Sequence, residues 1–104
     1  MRILSKPALI DFYKRRLHAD AKAPLLSWYG HVLHAEWTGP ADVKADFRTA
    51  SILKNGRTVF NIHGNKYRLV TEINYAAGMV YIKFVGTHNE YDAIDAQTVS
   101  WRKR

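Results

Sequence analysis

The chain contains no cysteine, which excludes disulfides and thiolate metal sites and makes a reducing, cytoplasmic setting the expectation. No apolar run approaches the ~20 residues that a membrane-spanning helix requires. Met1-Arg2-Ile3-Leu4-Ser5-Lys6-Pro7 lacks the apolar core of a signal peptide, so neither membrane nor export is expected. Internal repeats and low-complexity linkers are missing too, and 104 residues suffice for one modest core, so a single domain over 1–104 is expected. Acidic residues are few: 9, against 16 lysines and arginines, leave a formal net charge of +7. Such a balance favours a polyanionic partner, whether nucleic acid, anionic membrane or acidic protein. A hydrophobic fraction of 47% is ordinary for a folded domain and argues against disorder.

What is present reads first as helix, then as strand. Arg2-Ile3-Leu4 is a short apolar start suited to a strand. Ser5 stands at an N-cap position with Pro7 in the first turn, and Leu9, Phe12, Tyr13 and Leu17 follow at helical spacing, predicting an amphipathic helix that ends near Asp20. Pro24 opens a second helix with Leu25, Trp28, Tyr29, Val32 and Ala35 as its stripe, and Trp37-Thr38-Gly39-Pro40 breaks it. Trp28, Tyr29 and Trp37 at this spacing read as core rather than as base-stacking platforms. His31 and His34 lie one turn apart, yet two imidazoles with no third ligand make a poor metal site, so no metal or other cofactor is expected. Residues 40–47 read as a short helix or turn, and residues 48–53 as a short strand or an extended approach to the sheet.

The stretch from Arg57 to Asp92 organises the rest. Val59 to Ile62, Lys66 to Ile73 and Val80 to Val85 are β-branched and aromatic runs joined by short loops containing glycine, which predicts a three-stranded antiparallel meander. Alternation assigns Phe60, Ile62, Leu69, Ile73, Val80, Ile82 and Phe84 to one buried face and Asn61, Arg68 and Lys83 to the other. The fold expected is α+β, with two N-terminal helices packed on an antiparallel sheet of three to five strands. A short C-terminal helix is read over Asp92 to Val99, and the tail Ser100-Trp101-Arg102-Lys103-Arg104 is expected to fray.

The open face has the residue types that RNA cleavage needs. Arg68 offers a permanently charged fork to phosphate oxygens. His88 offers an imidazole, a side chain suited to proton transfer. Tyr91 suits a hydrogen bond or a base stack. Asn61 and Lys83 suit phosphate orientation, and Arg48, Lys54 and Arg57 extend the same basic strip. Bland readings stand beside these. Arg68 would pair with Glu72 or Asp92, His88 would cap the turn or the following helix, Tyr91 would be partly core, and the Lys54–Arg57 turn would be a solvated hairpin tip.

The runs NIHGNKYRLV and VYIKFVGTHNEYDAIDA resemble the HigB family of bacterial toxins, within the RelE-like superfamily of messenger-RNA-cleaving toxins. Ala41 to Ala45 and Val59 to Ile62 share the likeness, which extends over nearly the whole chain. The resemblance implies a metal-independent endoribonuclease that cleaves mRNA on the translating ribosome and is neutralised by a cognate HigA-like helix-turn-helix antitoxin. It implies a site on the concave sheet face, with Tyr67-Arg68-Leu69-Val70 as the arginine-bearing strand and His88 two residues after Gly86, where some members carry arginine. A lysine pair used by some relatives is replaced here by Val59 and Asn61, and no spacing chooses among Lys54, Arg57 and His63 as general base. Two alternatives remain at this level: a non-enzymatic RNA- or ribosome-binding module, and a ParE-like toxin directed at gyrase.

Overall fold

The structure, a computed structural model, describes residues 1–100, so most of the tail expected to fray lies outside the described residues. In chain order the elements are β1 (Arg2–Leu4), α1 (Lys6–Tyr13), a 3-10 segment (Arg16–Ala21), α2 (Lys22–Leu33) and α3 (Pro40–Asp46). There follow β2 (Ser51–Ile52), β3 (Arg57–Ile62), β4 (Tyr67–Asn74), β5 (Met79–Thr87) and α4 (His88–Asp92). No helix among the described residues is long and apolar enough to cross a membrane.

The meander forms as read. β3, β4 and β5 pair antiparallel, and the two edges are β1 and β2, in the order β1-β5-β4-β3-β2. The sheet is mixed rather than purely antiparallel, because β1 lies parallel to β5, with Ile3 opposite Val80. A parallel neighbour needs a long crossover, and here the helices supply it on one face of the sheet. The α+β architecture expected from the sequence is therefore the one observed.

The helices bury their apolar stripes against that face. Leu9, Phe12, Leu25, Trp28 and Val32 join Phe60, Ile62, Leu69, Ile73, Val80 and Ile82 in one cluster, and Trp28 and Trp37 are core as predicted. Trp28 packs edge-on to Phe60 at 5.4 Å, a favoured geometry for aromatic pairs. The first helix is shorter than its periodicity predicts. It ends at Tyr13, Arg15 turns extended, and Leu17 is 85% exposed instead of continuing the stripe. Three successive cations, Lys14, Arg15 and Arg16, stand at the break, and the chain rewinds as a 3-10 segment in which Leu17 faces solvent.

Phe84 departs from its expected face. β4 and β5 fall out of step between Val70 and Thr71, where Val70 opposes Phe84 and Thr71 opposes Ile82. Lys83 is the extra residue of this bulge, and beyond it the alternation of β5 is reversed. Phe84 therefore turns to the open face, and half-buried Val85 packs against the helix-side core instead.

Gly56 closes the β2–β3 turn at φ +77, and a Cβ there would lie 2.5 Å from the Ile73 carbonyl oxygen. Gly56→Ala is expected to destabilise the fold by about 1–3 kcal/mol, seen as a lower urea midpoint at unchanged slope.

Candidate functional site

The face turned away from the helices is closed at one end and open at the other. Arg57, Val59 and Asn61 project there from β3. Val59 is buried although it lies outside the helix-side core, and so is Val70. The segment after α4 returns across this end. Arg57 donates from its guanidinium to the carbonyls of Ala96 and Val99 and pairs through Nε with Glu72 at 3.3 Å. Lys54 donates its backbone N–H to the Gln97 side chain, whose amide donates back to the Lys54 carbonyl at 2.6 Å. Arg57 is thus 7% exposed and structurally committed, not a solvated cation on a phosphate strip. Of the two cations in that turn, only Lys54 remains exposed.

At the other end the open face keeps its polar row. Asn61 opposes Arg68, and Arg68 opposes Gly86, so the guanidinium rises between a short amide and a residue without a side chain. Gly86 must be small: a Cβ there would lie 2.5 Å from the Phe84 ring and 3.2 Å from Glu90 Cβ. Arg68 is not paired with Glu72, which goes to Arg57, nor with Asp92. It donates to the Asn65 carbonyl at 3.3 Å and lies 5.8 Å from the centroid of the Tyr91 ring, a cation–π distance. No carboxylate pairs with Arg68 among the described residues, so its charge is available to an incoming anion.

The expected polar exit after Gly86 is a helix. Thr87 accepts the Glu90 backbone N–H, while the Glu90 carboxylate accepts the Thr87 N–H at 2.8 Å, a complete capping box. The signature Thr-x-x-Glu stands in the sequence at 87–90, and reading it would have moved the predicted C-terminal helix from 92–99 to 88–92. Beyond α4 the chain turns at Asp95 instead, where Thr98 and Val99 both donate to the Asp95 carbonyl.

His88 begins this helix. It does not cap it, that task being taken by Thr87 and Glu90. Its backbone N–H donates to the Lys66 carbonyl at 3.2 Å, and its Nδ1 lies 3.3 Å from Asp92 Oδ2, one helical turn on. The imidazole is half exposed. Asp92, considered from the sequence only as a partner for Arg68, thus orients His88.

The remaining candidates divide by position. Arg48 is exposed beside Thr49, whose carbonyl accepts the Asn61 amide, and so belongs to the Arg68 end. Lys83, on the bulge, sits 5.6 Å from the Tyr81 ring in the middle of the sheet. Lys54 and Arg57 lie at the far end, about 13 Å along β3 from Asn61 at the usual strand rise. His31 pairs with Asp46 at 3.1 Å, and no group of three or more metal-ligating side chains occurs among the described residues.

One cluster escaped the sequence reading. Asp20, at the end of the 3-10 segment, accepts hydrogen bonds from the Lys66 ammonium and the Tyr67 hydroxyl. The Tyr67 ring is fully buried, edge-on to Phe12 at 5.2 Å. Lys66 first, and Tyr67 second, hold the Asp20 carboxyl below the ordinary aspartate range, while burial and then Asp20 push the Tyr67 hydroxyl up. This clamp ties the β3–β4 turn to the helical layer, and the same turn supplies the Lys66 carbonyl that seats His88.

Comparison with known proteins gives a consistent result. The family described as HigB toxin, RelE-like toxic component of a toxin-antitoxin system, matches residues 21–94. The mRNA interferase toxin HigB of Escherichia coli (strain K12) is 28% identical over 98 residues, spanning 92% of each chain. The mRNA interferases HigB of Escherichia coli O157:H7 and of Shigella flexneri match to the same extent.

A depressed carboxyl stabilises the fold above its unfolded pKa, and that contribution is lost as pH falls through the folded value. Asp20→Asn should therefore lower the urea midpoint at neutral pH, with the gap from wild type closing below about pH 4, the ordinary aspartate range.

Proposed function

The chain belongs to the HigB family of RelE-like toxic components of toxin-antitoxin systems, and on that premise we propose that it is an endoribonuclease that cleaves mRNA. The relatives named as mRNA interferases support this reading, and the observation that carries it is local. An arginine that pairs with no carboxylate among the described residues, held over Tyr91, lies at the end of the sheet from which α4 projects the oriented imidazole of His88.

The chemistry follows from those groups. The 2′-hydroxyl of the RNA attacks the adjacent phosphorus, the bond from phosphorus to the 5′-oxygen breaks, and a cyclic phosphate and a 5′-hydroxyl are left. Arg68 neutralises the charge that builds on the phosphoryl oxygens, where a planar fork matches two oxygens at once. His88 moves a proton through Nε2, because Asp92 occupies Nδ1 and holds the ring's orientation. Tyr91 keeps the guanidinium in place and offers its hydroxyl. Asn61 and Arg48 position the flanking backbone, and half-buried Lys83 and exposed Lys54 add long-range attraction for the polyanion. The substrate is mRNA on the translating ribosome, and a HigA-like helix-turn-helix antitoxin neutralises the toxin in the cell.

Incubating the protein with mRNA, with and without translating ribosomes, tests the assignment. Cleavage confined to the translating reaction is expected, and intact RNA in both reactions overturns the nuclease reading in favour of a binding module or a protein-directed toxin. His88→Ala and His88→Gln should each lower the cleavage rate by about 10²–10⁴ with RNA binding retained, the usual size of acid–base catalysis. Asp92→Asn should fall between wild type and His88→Ala. Arg68→Ala should weaken binding and cleavage together and reduce the salt dependence of binding, whereas Lys14→Ala, at the exposed C-cap of α1, should change neither appreciably.

A further inference from the structure

Next to the polar row, a second feature opens at the edge of β3. β2 pairs only with Thr58 and Val59, so from Phe60 onward the outer edge of β3 has no strand beside it. A cleft of about 270 Å³ lies there, between the end of β3 and one side of α2, with Phe47 at its margin. Asn61 and His63 border it from the sheet side, and Ser27, Trp28 and His31 border it from α2.

The lining selects for a particular chemistry. It contains no lysine, arginine, aspartate or glutamate. Carboxylates flank both of its histidines, Asp46 at 3.1 Å from His31 Nε2 and Asp20, which also binds Lys66, at 3.7 Å from His63 Nε2. A phosphate would therefore meet no lysine or arginine in the lining, and the carboxylate beside each histidine, that of Asp20 shared with Lys66, gives it no attraction. A flat, uncharged ring suits the cleft better. Phe47 and His31, edge to face at 5.0 Å, offer aromatic surface. The Ser27 hydroxyl and Asn61 amide offer both donors and acceptors. The volume lies just below the ~300–1,000 Å³ of drug-sized pockets and suits one planar base. The wall also holds an anomaly: Trp28 is 3% exposed, yet its indole N–H has no acceptor. Buried donors are nearly always paired, so this indole N–H beside the cleft is a sensitive reporter of any rearrangement there.

Position connects the cleft to the proposed chemistry. Asn61 lines the cleft and is also the cross-strand partner of Arg68. A strand of RNA with a phosphate at Arg68 passes Asn61 on its way over the edge of β3 and reaches the cleft with a neighbouring nucleotide. We propose that this cleft is a nucleobase subsite, which receives an unpaired base flanking the cleaved bond and biases the choice of cleavage site. The inference rests on the RNA-cleaving reading for its role, but not for the binding itself.

Two experiments test it. In the first, adenosine, guanosine, cytidine and uridine are titrated separately into the isotopically labelled protein, with inorganic phosphate as control. Saturable shifts of the Trp28 indole N–H and of the His31 and His63 ring signals are expected at roughly millimolar nucleoside, the range of a single stacked base, and not with phosphate. No shift with any nucleoside overturns the subsite. In the second, Ser27→Trp fills the cleft from an exposed position on α2, and amide dispersion verifies folding. The base composition around cleavage sites should change from wild type, and an identical profile overturns the proposal. If nucleosides bind but the wild-type protein cleaves no RNA in either ribosome condition, the nuclease reading fails while the base-binding cleft stands.

Discussion

One extra residue in β5 governs which side chains the open face presents. Up to Tyr81 and Ile82, the strand alternates in step with Glu72 and Thr71 of β4, odd residues outward and even residues toward the helices. Lys83 interrupts that alternation, and from Phe84 onward the even residues face outward. Without the bulge, Val85 and Thr87 would stand on the same face as Arg68, and Gly86 would be spent inside the core. With it, a glycine opposes Arg68, the Phe84 ring lies against that glycine, and α4 can pack close enough to bring Tyr91 to the guanidinium. The bulge therefore sets the clearance above the site, and the capping box at Thr87 sets the direction in which the chain leaves it.

A second chain of dependence runs through the β3–β4 turn. His63 and Gly64 both adopt positive φ there, a backbone conformation natural for glycine and unusual for histidine. The turn is held from the helical side by Asp20, which binds Lys66 and Tyr67 together. From its other side the Lys66 carbonyl receives the N–H of His88. Helical layer, hairpin and α4 are thus joined in series. An ion pair at a surface usually contributes little to stability, and its use here is geometric: it fixes the carbonyl on which the first residue of α4 rests.

Much of this was legible in the chain and some was not, for reasons that can be named. Strand alternation, glycine-bearing turns and the two apolar helical stripes are local signals, and they placed the meander, the helical layer and the residues Arg68, His88 and Tyr91 that now share one end of the sheet. The family resemblance read from GNKYRLV and GTHNEYD agrees with the match over residues 21–94. The bulge was illegible because Val80 to Val85 alternates acceptably in either register, and only the pairing with β4 decides it. The fate of Arg57 was equally hidden, since its partners at Ala96 and Val99 come from 39 and 42 residues away. Asp20 and Lys66 are separated by 46 residues, beyond any local pattern. The capping box is different: Thr87-x-x-Glu90 is a local signal, legible in the chain without any long-range partner.

The distribution of charge gives the open face its polarity. At the Arg57 end the guanidinium is neutralised by Glu72 and by backbone carbonyls, and Val59 and Val70 are covered. At the Arg68 end the guanidinium meets, among the described residues, a carbonyl and an aromatic ring, neither of which cancels its charge. Two arginines on the same sheet face thus have opposite roles, decided by what the returning C-terminal segment covers. Were that segment laid across the other end, Arg68 would be the buried tie and Arg57 the exposed cation, far from any histidine. A polyanion approaching this protein is drawn by its net positive charge from every side, but along β3 and β4 it finds an uncompensated guanidinium only where the chain also provides an imidazole.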